Sequence, residues 1–203
     1  MASLKTLREK FARRRKGRKR QFKLFRKTGD RGHQRKAGEH GRAMRKLAGL
    51  IKRKTPIRLK ALAVAEGLVG VMEQGGNNTG PIVDKIIRAN GGVIGEPWCG
   101  DFCAYCYRLA GSKAVQRLWA AVRALFGLFG IKRVSNPAPG DLVRFTFDHV
   151  GMFVRDLGDG TIETIEGNTG ASGAVSDSAT GGDGVYRKVR DKSLVNDYLR
   201  VTR

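Results

Sequence analysis

The hydrophobic period of this chain changes at the turn sequence NPAPG, residues 136–140. Before this turn, apolar residues recur every three or four positions, as they do in amphipathic helices. After it, apolar and polar residues alternate through Val143, Phe145 and Phe147, the segments HVGMFV and TIETIE follow, and a last strand is expected near residues 185–189. This alternation predicts antiparallel strands. Helices that precede the strands indicate an α+β domain.

Four helices are predicted before the turn. The first begins near Ile57, the second begins at Pro81, and the third lies within residues 95–111 and has Cys99 in its first turn. The fourth lies between Ser112 and Gly130, and a core-facing helix is the common reason for an apolar stripe such as it carries. The stripe consists of Val115, Leu118, Trp119, Val122, Leu125, Phe126 and Phe129.

Charge divides the chain into two parts. Residues 1–54 contain 22 Lys and Arg against three acidic residues, a net charge of +19, whereas the other 149 residues contain 18 basic and 15 acidic residues, a net charge of +3. The basic part has too few apolar residues to bury a core of its own. We therefore predict a basic N-terminal arm over residues 1–55, disordered or partly helical, and a folded domain over residues 56–203.

The arm is expected to bind a polyanion, because a polycation attracts one over long distances. Nucleic acid and an anionic polymer of the cell wall both fit this charge. The sequence alone favours neither partner.

The sequence also bears on the compartment. It has no run of 18 apolar residues, and its basic N-terminus is not followed by the apolar core of a signal peptide, so we expect neither a membrane span nor export by that route. Its three cysteines fall within eight residues. An odd number of closely spaced cysteines favours reduced thiols over a disulfide framework.

Cys99 and His149 form a candidate thiol-hydrolase pair. Cys99 falls in the first turn of the third predicted helix, where unpaired backbone N–H groups and the helix dipole favour a thiolate. His149 is the only histidine outside the arm, and it begins the second predicted strand. A cysteine nucleophile and a histidine base are the two components of thiol acyl transfer.

The histidine base needs an orienting partner, and the third predicted strand offers two. Ile162, Thr164, Glu166 and Asn168 share one face of this strand, because side chains alternate along it. Pairing with HVGMFV would set Glu166 or Asn168 beside His149. Either side chain would fix the imidazole tautomer.

Four segments in order resemble the CHAP family of cysteine, histidine-dependent amidohydrolases and peptidases: EPWCGDFCAYCYRLAG, PAPGDLVRF, DHVGMFV and ETIEGNTG. The resemblance implies a papain-like fold, shared with the NlpC-type cell-wall peptidases. It also implies Cys99 as the nucleophile, His149 as the general base and Glu166 with Asn168 as the orienting groups, with no cofactor and no metal.

The same resemblance implies a peptidoglycan hydrolase, either an amidase or an endopeptidase, that works through a thioester. A phage endolysin and a virion-associated lysin both fit such an enzyme without a signal peptide. The protein would then reside in the host cytoplasm or the virion, act at the cell wall, and have other virion proteins as possible partners.

Two further functions fit parts of the sequence. Cys99, Cys103 and Cys106 also resemble the iron–sulfur motif of radical-SAM enzymes, because three thiolates can hold a [4Fe–4S] cluster. That interpretation leaves His149 and Glu166 unused, and a zinc site would lack a fourth ligand. The basic arm alone fits a structural or nucleic-acid-binding virion protein with an inactive CHAP-like domain. The hydrolase interpretation accounts for the most residues.

Overall fold

The computed structural model describes residues 2–116, 119, 121–125, 128–171 and 182–202. The chain divides into two compact units, residues 1–55 and residues 56–203. Among the described residues, none of the helices combines the length and the apolar character that crossing a membrane requires.

The first unit is a hairpin of two helices, α1 (Leu4–Thr28) and α2 (Arg31–Lys54). The Ser3 side chain caps the N-terminus of α1, and Gly29 ends the helix in the left-handed conformation, with φ of 69°. Asp30 then caps α2. These cap and turn residues end one helix and begin the next within two positions.

Small and apolar residues hold the two helices of the hairpin together. Leu7, Ala37 and Gly41 are buried, and Gly17 lies so close to His40 that a Cβ atom there would be 2.8 Å from the imidazole. All 22 Lys and Arg of this unit are exposed. Composition predicted a basic arm that is disordered or partly helical, and the described residues of this unit form two helices. Close pairing of these helices leaves every cation in solvent.

The second unit contains the helices α3 (Ile57–Leu68), α4 (Pro81–Asn90) and α5 (Cys99–Leu109), followed by a sheet. The strands are β1 (Ile131–Val134), β2 (Leu142–Phe145), β3 (Val150–Asp156), β4 (Thr161–Thr169), β5 (Gly184–Asp191) and β6 (Val195–Val201). The described residues form one six-stranded antiparallel sheet in the order β1-β6-β2-β3-β4-β5. The predicted α+β order of helices followed by antiparallel strands is confirmed.

Helix α5 lies at the centre of this unit. It packs against β3 and β4 of the sheet and against α3 and α4. Every residue of α5 from its start to Tyr107 is buried, and the core around it includes Met152 and Ile165 of the sheet. The first turn of α5 is thereby held against the middle strands.

The fourth predicted helix is wrong for the residues that the structure describes. Between Ser112 and Gly130 these residues contain a short 3-10 turn at Val122–Ala124 instead of an α-helix. Trp119 and Leu125 are nevertheless fully buried in the core. Of the predicted stripe, Leu118 and Phe126 lie outside the described residues. Apolar side chains at helical spacing can also fill a core from an irregular segment, so the spacing predicted the burial of Trp119 and Leu125 but neither the backbone conformation nor the 62% exposure of Phe129.

Candidate active site

Cys99 is the first residue of α5, and its side chain is almost fully buried. Trp98 caps the helix, and its carbonyl accepts a hydrogen bond from the Phe102 N–H at 2.8 Å. The N–H groups of the first helical turn have no partner within the helix and carry its positive dipole end. A cysteine at this position is suited to act as a thiolate nucleophile.

His149 lies in the turn between β2 and β3 and is 2% exposed. Its N–H donates to the Phe147 carbonyl at 2.7 Å, and its carbonyl accepts from the Phe145 N–H at 3.1 Å. The imidazole stacks on both phenyl rings, with ring centroids 5.7 Å from Phe145 and 5.9 Å from Phe147. Backbone and side chain together restrict the ring to one orientation.

The His149 ring interacts with two groups from other parts of the chain. Its Nε2 lies 3.0 Å from Oε2 of Glu166 on β4, and Cys99 lies near enough for its charge to act on the imidazole. Burial lowers the pKa of His149, but the nearby Cys99 and the hydrogen bond and charge of Glu166 outweigh burial and raise the pKa to about 9. The imidazolium form is therefore favoured at neutral pH when Cys99 is a thiolate.

Glu166 is fully buried and ionised. Burial raises its pKa, but the hydrogen bonds and charges of His149 and Arg190 together lower the pKa to about 2. Its carboxylate also accepts a hydrogen bond from the Thr164 hydroxyl at 2.6 Å. A buried carboxylate with three donor side chains is satisfied without water.

Arg190 on β5 is the donor that sequence reasoning missed. Its Nη2 lies 2.7 Å from Oε2 of Glu166, and its Nε lies 3.1 Å from Oε1. The available signal was strand parity: Lys188 lies in the last predicted strand, Arg190 follows two positions later, and both are buried in the structure. Charged side chains at inward positions of a strand indicate a buried partner.

Asn168 was expected beside His149 with Glu166, but its hydrogen bonds go elsewhere. Its Oδ1 accepts from the Trp98 N–H at 3.2 Å, and its Nδ2 donates to Asn78 Oδ1 at 2.7 Å and to Glu73 Oε1 at 3.3 Å. The Glu73 carboxylate in turn accepts the indole N–H of Trp98 at 2.9 Å. Asn168 thus contacts the residue that precedes Cys99 rather than the imidazole.

Two glycines permit the close approach of the strands and α5. A Cβ atom on Gly151, two residues after His149, would lie 2.6 Å from Cγ of Glu166. A Cβ atom on Gly167 would lie 2.6 Å from Cγ of Phe102 and 2.9 Å from the Trp98 ring. Any larger residue at either position would separate β4 from β3 or from α5.

The other two cysteines of α5 are fully buried. Burial raises the pKa of Cys103, and neighbouring thiols and Glu166 raise it further; burial likewise raises the pKa of Cys106. Both are therefore neutral thiols. In the part of the chain that the structure describes, no group of three or more His, Cys, Asp or Glu is arranged as metal ligands would be.

Gly140 and Asp141 form the turn before β2. Asp141 is fully buried, accepts a hydrogen bond from the Ala138 N–H at 2.8 Å and pairs with Arg200, whose Nη2 lies 2.6 Å from its Oδ2. This ion pair ties the turn to β6.

Residues 91–168 match the family model of the CHAP domain. The matched segment includes Cys99, His149 and Glu166, and it ends at Asn168. No curated protein and no solved structure matches the chain.

Proposed function

We propose, from the match of residues 91–168 to the CHAP domain model, that the chain is a CHAP-family peptidoglycan hydrolase that cuts an amide bond of the cell wall. Members of this family are typically hydrolases that act on peptidoglycan. Both an amidase, which cuts between the sugar and the stem peptide, and an endopeptidase, which cuts within the peptide, fit this proposal.

The proposed reaction begins with attack of the Cys99 thiolate on the carbonyl carbon of the scissile amide. The His149 imidazolium donates its proton to the leaving nitrogen, so the C–N bond breaks and a thioester forms. A water molecule then gives a proton to His149 and attacks the thioester, which releases the carboxylate and restores the thiolate. The backbone N–H of Cys99 is the proposed oxyanion donor.

The orienting groups have separate roles in this proposal. Glu166 fixes the imidazole of His149, since it is the carboxylate that hydrogen bonds to the ring. Asn168 and Glu73 fix Trp98 and hence the start of α5, where the nucleophile lies. Asn168 is therefore a positioning residue of the nucleophile rather than of the base.

The observation that carries the proposal is that the buried His149 imidazole is hydrogen bonded to Glu166 and lies within electrostatic reach of Cys99, because these residues are 17 and 50 positions away from it in the sequence. Purified cell walls in a zymogram test it directly. We expect a cleared band for the wild type, none for Cys99→Ala, and clearing by Cys106→Ala, which removes a buried thiol remote from the helix start. Equal loss in both variants, or no clearing by the wild type, would contradict the proposal.

The bond that is cut identifies the type of hydrolase. Mass spectrometry of the released fragments would show free stem peptides for an amidase and shortened or separated cross-linked peptides for an endopeptidase. We propose that the enzyme is a bacteriophage lysin. An endolysin, which opens the wall at lysis, and a virion-associated enzyme, which opens it at entry, both need this hydrolase activity.

We further propose that the helical hairpin of residues 1–55 attaches the enzyme to the phosphate groups of an anionic wall polymer. Its 22 cations are all exposed, whereas the apolar side chains of its helix interface are buried or half-buried. A membrane-surface helix would need an exposed apolar face, and single-stranded nucleic acid would need exposed aromatic rings for stacking. Exposed charge without exposed apolar surface is suited to phosphate groups.

Cosedimentation of the full chain with purified walls tests this attachment. We expect binding that weakens steeply with salt and is lost from walls stripped of their anionic polymer. Retention on stripped walls would overturn it. Stronger retention on duplex DNA than on walls, together with walls left intact, would favour the alternative of a nucleic-acid-binding virion protein.

A further inference from the structure

We propose that Arg190 is a positioning residue of the active site: it clamps the Glu166 carboxylate, fixes His149 against Cys99, and limits how tightly His149 holds its proton. This inference rests on the hydrolase function proposed above. Arg190 lies outside the segment that matches the CHAP family model.

The clamp engages both oxygens of one carboxylate. Arg190 donates from Nε to Oε1 at 3.1 Å and from Nη2 to Oε2 at 2.7 Å. The side chains are 2% and 0% exposed, so water does not compete for these bonds. Such a two-point contact fixes the plane of the carboxylate as well as its position. Lysine, with a single ammonium group, would supply the charge without the fork.

Arg190 also contacts the surroundings of the His149 imidazole through two phenyl rings, in addition to its contact through Glu166. The guanidinium carbon lies 5.6 Å from the ring centroid of Phe145 and 5.9 Å from that of Phe147. His149 stacks on these rings as well. Arg190, the two rings and Glu166 therefore surround the base, and motion of the arginine would displace the imidazole.

Oε2 of Glu166 is shared between two cations, and this gives Arg190 its electrostatic role. It lies 3.0 Å from Nε2 of His149 and 2.7 Å from Nη2 of Arg190. A permanent guanidinium charge on the same oxygen weakens the hold of the carboxylate on the imidazolium proton. Two thiols of α5 lie within electrostatic reach of this pair, Cys99 near His149 and Cys103 near Glu166.

This competition matters for the proposed reaction, because His149 must donate its proton to the leaving nitrogen and then accept one from water. Without Arg190, Glu166 would stabilise the imidazolium more strongly, and donation of its proton to the leaving nitrogen would be slower. Arg190 therefore acts on the reaction through Glu166 and makes no contact with substrate in this mechanism.

Kinetics of Arg190→Met and Arg190→Lys on soluble wall fragments test the role. For Arg190→Met we expect kcat to fall about tenfold to a hundredfold with KM unchanged, and the alkaline limb of the pH profile to move up by on the order of one pH unit. Arg190→Lys should keep the alkaline limb in place and recover part of kcat. Arg187→Met is the matched control, because Arg187 lies on the same strand but pairs with Glu163 at the surface, and it should leave both quantities unchanged.

A double variant separates positioning from general destabilisation. If Arg190 acts through Glu166, the variant with both Glu166→Gln and Arg190→Met should lose no more kcat than Glu166→Gln alone. This variant also avoids an unpaired buried charge, so it remains informative if Arg190→Met does not fold. Additive losses, or equal loss in Arg190→Met and Arg190→Lys with an unmoved alkaline limb, would overturn the proposal.

Titration of His149 by NMR separates failure of this inference from failure of the hydrolase function. The full chain has three histidines, so His149→Gln assigns the signal. We expect the His149 titration midpoint to be higher in Arg190→Met than in the wild type, and unchanged in Arg190→Lys and in Arg187→Met. If the wild type cuts no cell wall, the hydrolase function is wrong, but the shift of the His149 midpoint can still be measured. A midpoint that is the same in all variants would refute the role of Arg190.

Discussion

The helical hairpin of residues 1–55 and the domain of residues 56–203 are both rich in arginine, but their arginines have different surroundings. In the hairpin, all 22 Lys and Arg are exposed, and the one ion pair found among its described residues joins His33 to Asp30. In the domain, arginines pair with buried carboxylates. These pairs are Arg190 with Glu166, Arg200 with Asp141, and Arg144 and Arg133 with Asp197.

This difference indicates two uses of the same residue type. Exposed cations contribute little one at a time, but together they produce a field that attracts a polyanion. A buried ion pair has one specific partner, and removal of that partner leaves an uncompensated charge in the core. We therefore expect single substitutions to be severe in the domain and mild in the hairpin.

The largest effect should follow from loss of the buried Glu166 carboxylate. We expect Glu166→Gln to lower kcat on wall fragments about a thousandfold, because the imidazole loses its orienting group. Glu163→Gln is the control, since Glu163 lies on the same strand but pairs with Arg155 and Arg187 near the surface. Similar kcat values in the two variants would show that burial of the pair has no catalytic consequence.

Stability should depend on pH through the same pair. The folded pKa of His149 is raised from 6.5 to about 9. Its contribution to the free energy of unfolding is therefore fully present below pH 6.5 and is lost as the pH rises through 9. The folded pKa of Glu166 is lowered from 4.5 to about 2, so its contribution is present above pH 4.5 and is lost as the pH falls through 2.

Urea unfolding between pH 5 and pH 10 measures this contribution. We expect the wild type to lose on the order of 3 kcal/mol of unfolding free energy between pH 6.5 and pH 9 through His149. His149→Gln should lack that part of the slope. Identical slopes in the two proteins would mean that the imidazolium does not stabilise the fold.

Substitution of an arginine should lower the unfolding free energy less where the arginine is partly exposed and only its carboxylate partner is buried. The Arg200 side chain is 29% exposed, while Asp141 is fully buried. Arg200→Met should therefore lower the unfolding free energy by about 2 kcal/mol, less than loss of a fully buried partner. Thermal or urea unfolding, with Arg108→Met on the partly exposed end of α5 as a comparison, would measure it.

The smallest effects should come from single cations of the hairpin. Arg15→Gln should leave unfolding and the cleavage of soluble fragments unchanged, and should reduce the salt dependence of polyanion binding by roughly one charge. Deletion of residues 1–55 should remove that binding while the remaining domain folds and cleaves soluble fragments. An insoluble domain would contradict the independence of the two units.

The sequence allowed prediction of features that depend on short-range pattern. The change of period gave the α+β order, and strand parity set Glu166 on the face toward His149, where the two lie 3.0 Å apart. The position of Cys99 at a helix start likewise follows from local spacing and is what the structure has.

Features that depend on long-range pairing were not predicted. Arg190 meets Glu166 across 24 residues through a β4–β5 register that shifts between Glu166 and Thr169. Glu73 meets Asn168 across 95 residues. Periodicity reports which side chains turn inward, but it contains no information on the register shift or on which distant side chain fills the opposite position.

Gly167 separates Glu166 from Asn168 and faces the rings of Phe102 and Trp98 with no room for a side chain. In a saturation-mutagenesis library selected for lysis, this position should tolerate substitution as poorly as that of Cys99, although glycine has no group that takes part in the reaction. Purification of such variants would distinguish the two cases: Cys99 variants should accumulate as soluble inactive protein, whereas Gly167 variants should be recovered in low yield.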